Sequence, residues 1–202
     1  MSAIAAQIAA QMDFLLRCDR LKTVTRTTRL HDGTRFENSA EHSWHLALAA
    51  LTLAEHAPAD LNIGQTIKLL LIHDLVEIGA GDLSFAADEA QLRLQASREQ
   101  VAAAELFGTL PDPQAADYLA LWQEFEAQQT LESRFARAVD AFQPMLLTWG
   151  PGAPGCLEQA PELTQARVLA LKAPRLQAFP ALWAYAQHLL NEAVERGILR
   201  AG

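Results

Sequence analysis

The hydrophobic residues of this chain recur at helical spacing over almost its whole length. Near the amino terminus, Ile4, Ile8 and Met12 lie four residues apart, with Ala and Gln filling most of the intervening positions. No alternating strand pattern longer than four residues is present, so the pattern predicts an all-α fold. Beyond this first helix, further helices are predicted at about residues 39–56, 65–78, 84–107, 131–147, 161–171 and 175–196. One more helix, opened by Pro111 and Pro113, is predicted between the helices at 84–107 and 131–147.

Turn-forming residues divide these helices. Asn38 lies three residues before Glu41, a spacing that is typical of a capping box at a helix start. The polar stretch 23–35 contains an Asp-Gly turn signal, and the Gly- and Pro-rich segment 150–155 is the one strong break. The helices after this break are short for an independent domain, and we expect them to pack on the same core. A single domain over residues 1–202 is therefore predicted.

The most informative segment is 69–78, where apolar residues surround His73, Asp74 and Glu77. A helix that is apolar on all sides lies buried, and burying these polar groups is costly unless each finds a partner. Their spacing of three and four residues puts them on one side of the helix. Either a His–Asp hydrogen bond in the core or a cation held between them would satisfy these groups.

Two other helices place polar residues in apolar company. Asp140 is expected either at the same site or in a surface pair with Arg137, and His42 taken alone would be a packed core histidine. Two imidazoles and two carboxylates from three helices suit a divalent metal ion, with water in the remaining positions. This set is, in chain order, His42, His73, Asp74 and Asp140. Because no thiolate is included, Mn, Co, Fe, Mg or a catalytic Zn is favoured over a structural Zn.

The sequence resembles the HD-domain metal-dependent phosphohydrolases, and more narrowly their 5′-deoxynucleotidase branch. The resemblance lies in the order and spacing of residues 37–45, residues 73–82 and Asp140. The resemblance covers residues of about 10–147. It implies an HD-domain helical bundle with additional C-terminal helices, and it implies one divalent metal ion. The family's metal ligands match His42, His73, Asp74 and Asp140.

The resemblance also implies roles for three further residues. Glu77 matches the carboxylate that orients or deprotonates a water activated by the metal, and Asp82 matches a second acid near the leaving oxygen. Arg26 lies where the family has a phosphate-binding arginine. Thr27 follows it, where the deoxynucleotidases have a tryptophan that contacts the sugar.

The activity that the resemblance implies is hydrolysis of nucleoside or deoxynucleoside 5′-monophosphates to nucleoside and phosphate. No Cys, Ser or Thr nucleophile with an adjacent base is evident, so direct attack by water is expected. Two alternatives stay open. One is hydrolysis of another phosphoester, such as a nucleoside triphosphate, a cyclic nucleotide or an alarmone. The other is a regulatory domain that binds metal or nucleotide without turnover.

Charge restricts the partners of this chain. A net charge of −8 and a pI near 5.2 argue against long nucleic acids and anionic membranes. Six of the 16 Lys and Arg residues nevertheless lie within residues 17–35, just before His42. A small phosphorylated substrate, such as a nucleoside monophosphate, is therefore compatible with the overall acidity.

Localisation and assembly are the remaining expectations. No targeting or membrane-spanning pattern is visible, and two cysteines, Cys18 and Cys156, fit the reducing cytoplasm. The family resemblance implies a homodimer. The Ala- and Leu-rich segment 86–107 and the aromatic C-terminal helices are candidates for its interface.

Overall fold

A computed structural model describes residues 2–83 and 87–202 of the chain, and it confirms the all-α prediction. Three short 3₁₀ helices, at Asp19–Thr23, Ala54–His56 and His73–Val76, join or extend the α-helices. The α-helices are α1 Ala3–Cys18, α2 Ser39–Leu53, α3 Ile63–Ile72, α4 Glu77–Ala80, α5 Glu89–Phe107, α6 Gln114–Ala127, α7 Leu131–Trp149, α8 Gln165–Leu176 and α9 Pro180–Glu195. Among the described helices, none has the length and hydrophobicity that a membrane crossing requires.

A small antiparallel hairpin occupies the stretch that the sequence predicted only as a polar turn. Strands β1, Thr25–Arg29, and β2, Phe36–Asn38, pair with Thr25 opposite Asn38. Gly33 has a φ of 73° in the loop between the strands, a conformation that glycine adopts without a steric penalty. The strands escaped prediction because they are short and β1 is composed entirely of Thr and Arg.

The predicted start of α2 is confirmed. Asn38 accepts a hydrogen bond from the Glu41 backbone N–H at 2.9 Å, and Glu41 accepts one from the Asn38 backbone N–H at 3.1 Å. These reciprocal bonds satisfy two amides that the first helical turn leaves without intrahelical partners. They fix the register of α2 and so set the direction in which His42 points, one turn into the helix.

The prediction of one continuous helix over 65–78 is wrong. α3 ends at Ile72, a 3₁₀ turn covers His73–Val76, and α4 continues only to Ala80. The His73 ring contributes to this change, because its Nδ1–H donates to the Leu70 carbonyl at 2.9 Å at the end of α3. A 3₁₀ turn has fewer residues per turn than an α-helix, so the polar side chains of this segment point in different directions from those of a continuous α-helix. The spacing of the hydrophobic residues does not distinguish the two kinds of helix.

Other predicted helix boundaries also differ. Helices were predicted at 161–171 and 175–196, whereas α8 covers Gln165–Leu176 and α9 covers Pro180–Glu195. α8 begins later because Thr164 caps it, and it extends past the predicted end with Pro174 inside it. The predicted helix 84–107 begins at Glu89 in the structure, and residues 84–86 lie outside the described part of the chain.

Two hydrophobic clusters meet near the His-Asp turn. Phe135 of α7, Val168 of α8 and Leu189 of α9 belong to one cluster, so the C-terminal helices share a core with α7. Leu70 of α3 also lies in that cluster, whereas Ile72, two residues later, lies in the other. The 3₁₀ turn therefore sits between two packed cores, which hold its side chains in place. That residues 1–202 form a single domain stays a prediction.

Candidate metal centre and catalytic pocket

Three elements bring histidine and carboxylate side chains together. His42 comes from α2, His73 from the 3₁₀ turn and Asp140 from α7. One potential ligand atom from each lies within 4.8 Å of the other two. His42 Nε2 lies 3.2 Å from Asp140 Oδ1. Both histidines are buried, so the arrangement forms a recess rather than a surface cluster.

The two imidazoles direct the same nitrogen towards this recess. His73 donates from Nδ1 to the Leu70 carbonyl, and its buried Nε2 makes no hydrogen bond within the described residues. His42 Nδ1 lies 3.1 Å from Gln143 Oε1, which favours the tautomer that donates from Nδ1. Metal-binding histidines are commonly held in this way, with one nitrogen donating to a fixed acceptor and the other free for the metal. Nε2 of His73 lies 2.9 Å from the Asp74 carboxylate, and this mixture of nitrogen and oxygen donors fits a divalent cation.

Asp74 lies beside this group. Its Oδ1 is 2.9 Å from His73 Nε2 and its Oδ2 is 3.9 Å from His42 Nε2. Burial raises the pKa of Asp74, but the adjacent His73 ring and the Arg26 guanidinium outweigh burial and lower that pKa to about 2. Burial also raises the pKa of Asp140, but the hydrogen bond between Asp140 and His42 outweighs burial. The pKa of Asp140 therefore lies well below its usual range. Both carboxylates are therefore ionised at neutral pH, as metal ligands must be.

Arg26 of β1 is surrounded by carboxylates. Its Nη1 lies 3.0 Å from Asp74 Oδ2 and 3.4 Å from Asp82 Oδ1, and its Nε lies 3.4 Å from Glu37 Oε1. Glu77 Oε1 is slightly farther, at 3.7 Å from Nη1. Burial lowers the pKa of Arg26, but these carboxylates outweigh burial and raise it, so the guanidinium stays charged. The structure thus places the predicted phosphate-binding arginine against the predicted acids.

The two predicted catalytic acids are held by neighbours from the hairpin and α2. The Ser39 hydroxyl donates to Glu77 Oε2 at 2.6 Å, and the Thr27 backbone N–H donates to Asp82 Oδ2 at 3.3 Å. Burial and the nearby charge of Asp74 raise the pKa of Glu77 to about 10. Burial also raises the pKa of Asp82. The positive charge of a divalent cation at this site would favour the ionised forms of both.

A cavity of about 270 Å³ opens onto these residues. Its walls include residues that the sequence analysis did not single out, chiefly Lys172 and Arg175 of α8. Arg137 of α7 also lines it, with Nη1 3.6 Å from Asp140 Oδ2, so Asp140 faces both the histidines and this arginine. No local motif marks the α8 residues, because only the packing of α8 against α7 brings them to the cavity.

Sequence reasoning also missed the groups that hold the candidate ligands. Gln143 lies one turn after Asp140 on α7 and connects His42 to His45, whose Nδ1 accepts from the Gln143 amide at 2.9 Å. In the sequence, the position of Gln143 three residues after Asp140 is the one feature that could have pointed to its role. Glu37 lies in the segment that carried the family resemblance. Its side chain is buried, and its Oε1 lies 3.4 Å from His42 Nδ1.

A model of the HD domain family matches residues 18–183, and the chain belongs to this family. It is 30% identical over 137 residues to the 5′-deoxynucleotidase HDDC2 of Bos taurus and 27% identical over 136 residues to that of Homo sapiens. The matches cover 67% of this chain, and 64% and 65% of those relatives, respectively. The chain therefore spans slightly less than two thirds of their length.

Solved structures extend the similarity over nearly the whole chain. A predicted metal-dependent phosphohydrolase from Magnetospirillum magnetotacticum MS-1 is 48% identical, with a TM-score of 0.85 and coverage of 96% of each chain. A conserved hypothetical protein from Pyrococcus furiosus shares the fold at 22% identity, with a TM-score of 0.58 and coverage of 91% of this chain and 99% of its own.

Proposed function

We propose that this protein is a metal-dependent phosphohydrolase that converts nucleoside or deoxynucleoside 5′-monophosphates to nucleoside and phosphate. The observation that carries the proposal is the group of buried His42, buried His73 and half-buried Asp140, next to which Asp74 holds Arg26 and Arg26 in turn approaches Glu77. The names of the HDDC2 relatives and of the Magnetospirillum protein support this activity and substrate class.

The proposed metal ligands are His42, His73, Asp74 and Asp140. His42, His73 and Asp140 offer converging atoms, and Asp74 lies within 3.9 Å of both imidazoles. A divalent metal ion, which we propose to be Mn, Co, Mg, Fe or Zn, would supply Lewis acidity that lowers the pKa of water and offsets charge on phosphoryl oxygens. Nitrogen and carboxylate donors together suit several of these ions.

The remaining residues supply positioning and proton transfer. Arg26 would hold the phosphoryl oxygens, because its guanidinium lies within 3.7 Å of Asp74, Glu77 and Asp82 and so faces the centre of the pocket. Glu77 would take a proton from the attacking water, whose oxygen forms the new bond to phosphorus. Asp82 would give a proton to the leaving 5′ oxygen as the old bond to phosphorus breaks.

Phosphate release from a panel of nucleotides tests the proposal. Purified protein would be assayed with Mn, Co and Mg against deoxy- and ribonucleoside monophosphates, a triphosphate and a cyclic nucleotide. We expect release from monophosphates that stops when a chelator removes the metal. Release only from another phosphoester would replace the proposed substrate class, and release from none would favour a domain that binds without turnover.

We further propose that the protein forms a homodimer through its exposed apolar helix faces. Leu16 of α1 is 73% exposed and Trp44 of α2 is 64% exposed, and such large apolar surfaces are typical of interfaces. Trp44→Glu and Leu16→Glu test the two faces separately by analytical ultracentrifugation. The expected result is a dimer that one of them converts to a monomer. A monomeric parent protein contradicts the proposal.

The cytoplasm is the proposed location, supported by the two free thiols of Cys18 and Cys156. Fractionation of cells that produce the protein tests this location. Recovery with a soluble cytoplasmic marker is expected, and recovery with an extracytoplasmic marker contradicts it.

A further inference from the structure

A second cavity adjoins the catalytic cavity along β1 and α7. It measures about 430 Å³, and Arg26, Thr27 and Thr28 of β1 line both cavities. One face of α7 also passes along both. In chain order, Arg137, Asp140, Ala141 and Pro144 line the catalytic cavity, and Leu147 and Thr148 line the second. These positions follow the three- and four-residue spacing of a single helix face, so the two cavities lie end to end between the strand and the helix.

The walls of the second cavity differ from those of the first. Aromatic and aliphatic side chains line it, chiefly Phe36 of β2, Leu147 and Trp149 of α7, and Leu163 from the segment before α8. Among the described residues, Glu162 is the one carboxylate at this cavity, whereas six carboxylates line the catalytic cavity. An uncharged planar ring therefore fits the second cavity, and a charged phosphoryl group fits the first.

Phe36 offers the second cavity a ring surface for stacking. It is 37% exposed, so part of its ring is open. The Arg29 guanidinium carbon lies 4.4 Å from the centre of this ring, and Arg29 Nη1 donates to the Gly33 carbonyl at 3.0 Å in the hairpin loop. These contacts hold the ring at the cavity wall. Aromatic side chains in such positions commonly support a stacked nucleic-acid base.

We propose that the second cavity binds the base of the nucleotide whose phosphoryl group is held near Arg26. This inference rests on the proposed function for the nature of the ligand. Leu147 lies seven residues after Asp140 on α7, which at about 1.5 Å per residue places it about 10 Å farther along the helix. The sugar of a nucleoside 5′-monophosphate separates the base from the phosphate, so a single molecule can occupy both cavities.

Two phosphonates test this base subsite. One is the analogue of deoxyadenosine 5′-monophosphate in which a methylene group replaces the 5′ ester oxygen, and the other is the same phosphonate of the sugar without its base. Neither contains the ester bond that the proposed reaction breaks, so calorimetric titration of the metal-loaded protein measures binding alone. We expect the parent protein to bind the base-containing phosphonate about ten-fold or more tightly than the base-free one, the usual effect of one base stacking on an aromatic ring. Equal affinities would overturn the proposal.

Variants from two elements locate the base in this cavity. Phe36→Ala removes the ring, and Thr148→Phe adds bulk to the cavity from α7. Each should remove most of the preference for the base-containing phosphonate and change the affinity for the base-free one less than about two-fold. Phe36→Tyr keeps the ring and should keep the preference. Equal weakening of both phosphonates in both variants, or of neither, would overturn the proposal.

Tyr185→Ala is the matched control for loss of an exposed aromatic ring. Tyr185 of α9 is 44% exposed and lines a separate cavity beside α2, so its loss should leave both affinities unchanged. Because the phosphonates are not hydrolysed, failure to release phosphate from any nucleotide would refute the proposed function without affecting this test.

Discussion

Replacing Gln143 by Leu tests whether the groups around His42 prepare it to bind metal. Gln143 is 1% exposed, and its Oε1 lies 3.1 Å from His42 Nδ1. The Gln143→Leu variant fills a similar volume but removes the acceptor. The imidazole can then move its proton to Nε2, which lies 3.2 Å from Asp140 Oδ1, and this proton occupies the nitrogen that a metal needs.

The size of the effect follows from the cost of restoring the metal-binding tautomer. Leaving a buried N–H without an acceptor costs about 1–3 kcal/mol, and each 1.4 kcal/mol corresponds to about a ten-fold change in affinity. Glu37 Oε1 lies 3.4 Å from the same nitrogen and can replace part of the lost bond. We therefore expect the metal dissociation constant to rise about ten-fold, the lower end of the range for groups that support metal-binding histidines.

Titration with Mn²⁺ or Co²⁺, followed by calorimetry, measures this change. Urea unfolding of the metal-free variant serves as a control for loss of fold. Gln143→Glu keeps an oxygen in the same place and should bind metal more tightly than Gln143→Leu. An affinity of the folded Gln143→Leu variant within two-fold of the parent's would refute the reasoning, because His42 would then need no support from Gln143.

Two further predictions concern charge and burial. Arg26→Met should lower the free energy of unfolding of the metal-free protein by about 3 kcal/mol, because several buried carboxylates lose their shared counter-charge, and bound divalent metal should reduce this loss. Urea unfolding with and without metal measures it, and equal losses in the two conditions contradict it. Burial raises the pKa of the Cys18 and Cys156 thiols to about 11, so at pH 8 alkylation of the native protein should be about a hundred-fold slower than that of the unfolded chain. The native rate should rise as the pH approaches 11, and equally fast native labelling would show that these thiols are accessible.

The helices were predictable because their signals are local. Apolar spacing and the Asn38 cap depend on residues within a few positions of one another, and both appear in the structure. The break at His73–Val76 was not predictable, since the same apolar residues suit a straight helix and a 3₁₀ turn alike. The hairpin was missed for a similar reason, because β1 carries no apolar alternation.

The candidate site divides in the same way. His73 and Asp74 stood out because polar residues in an apolar helix need partners, and the order of the remaining candidates pointed to the family. The position of Gln143 beside His42 and that of Arg175 at the cavity depend on contacts between elements far apart in the chain. Nothing in their neighbouring residues distinguishes them from ordinary polar residues of a helix.

The proposed chemistry is tested most directly by comparing phosphate release by the parent protein and by Glu77→Gln, each with the same measured amount of bound metal. A deoxynucleoside 5′-monophosphate is the substrate. We predict release by the parent and a decrease of about a hundred-fold or more in the variant, because the amide cannot take the proton of the attacking water. Equal rates with equal bound metal would contradict the role assigned to Glu77, and no release by the parent would contradict the proposed activity itself.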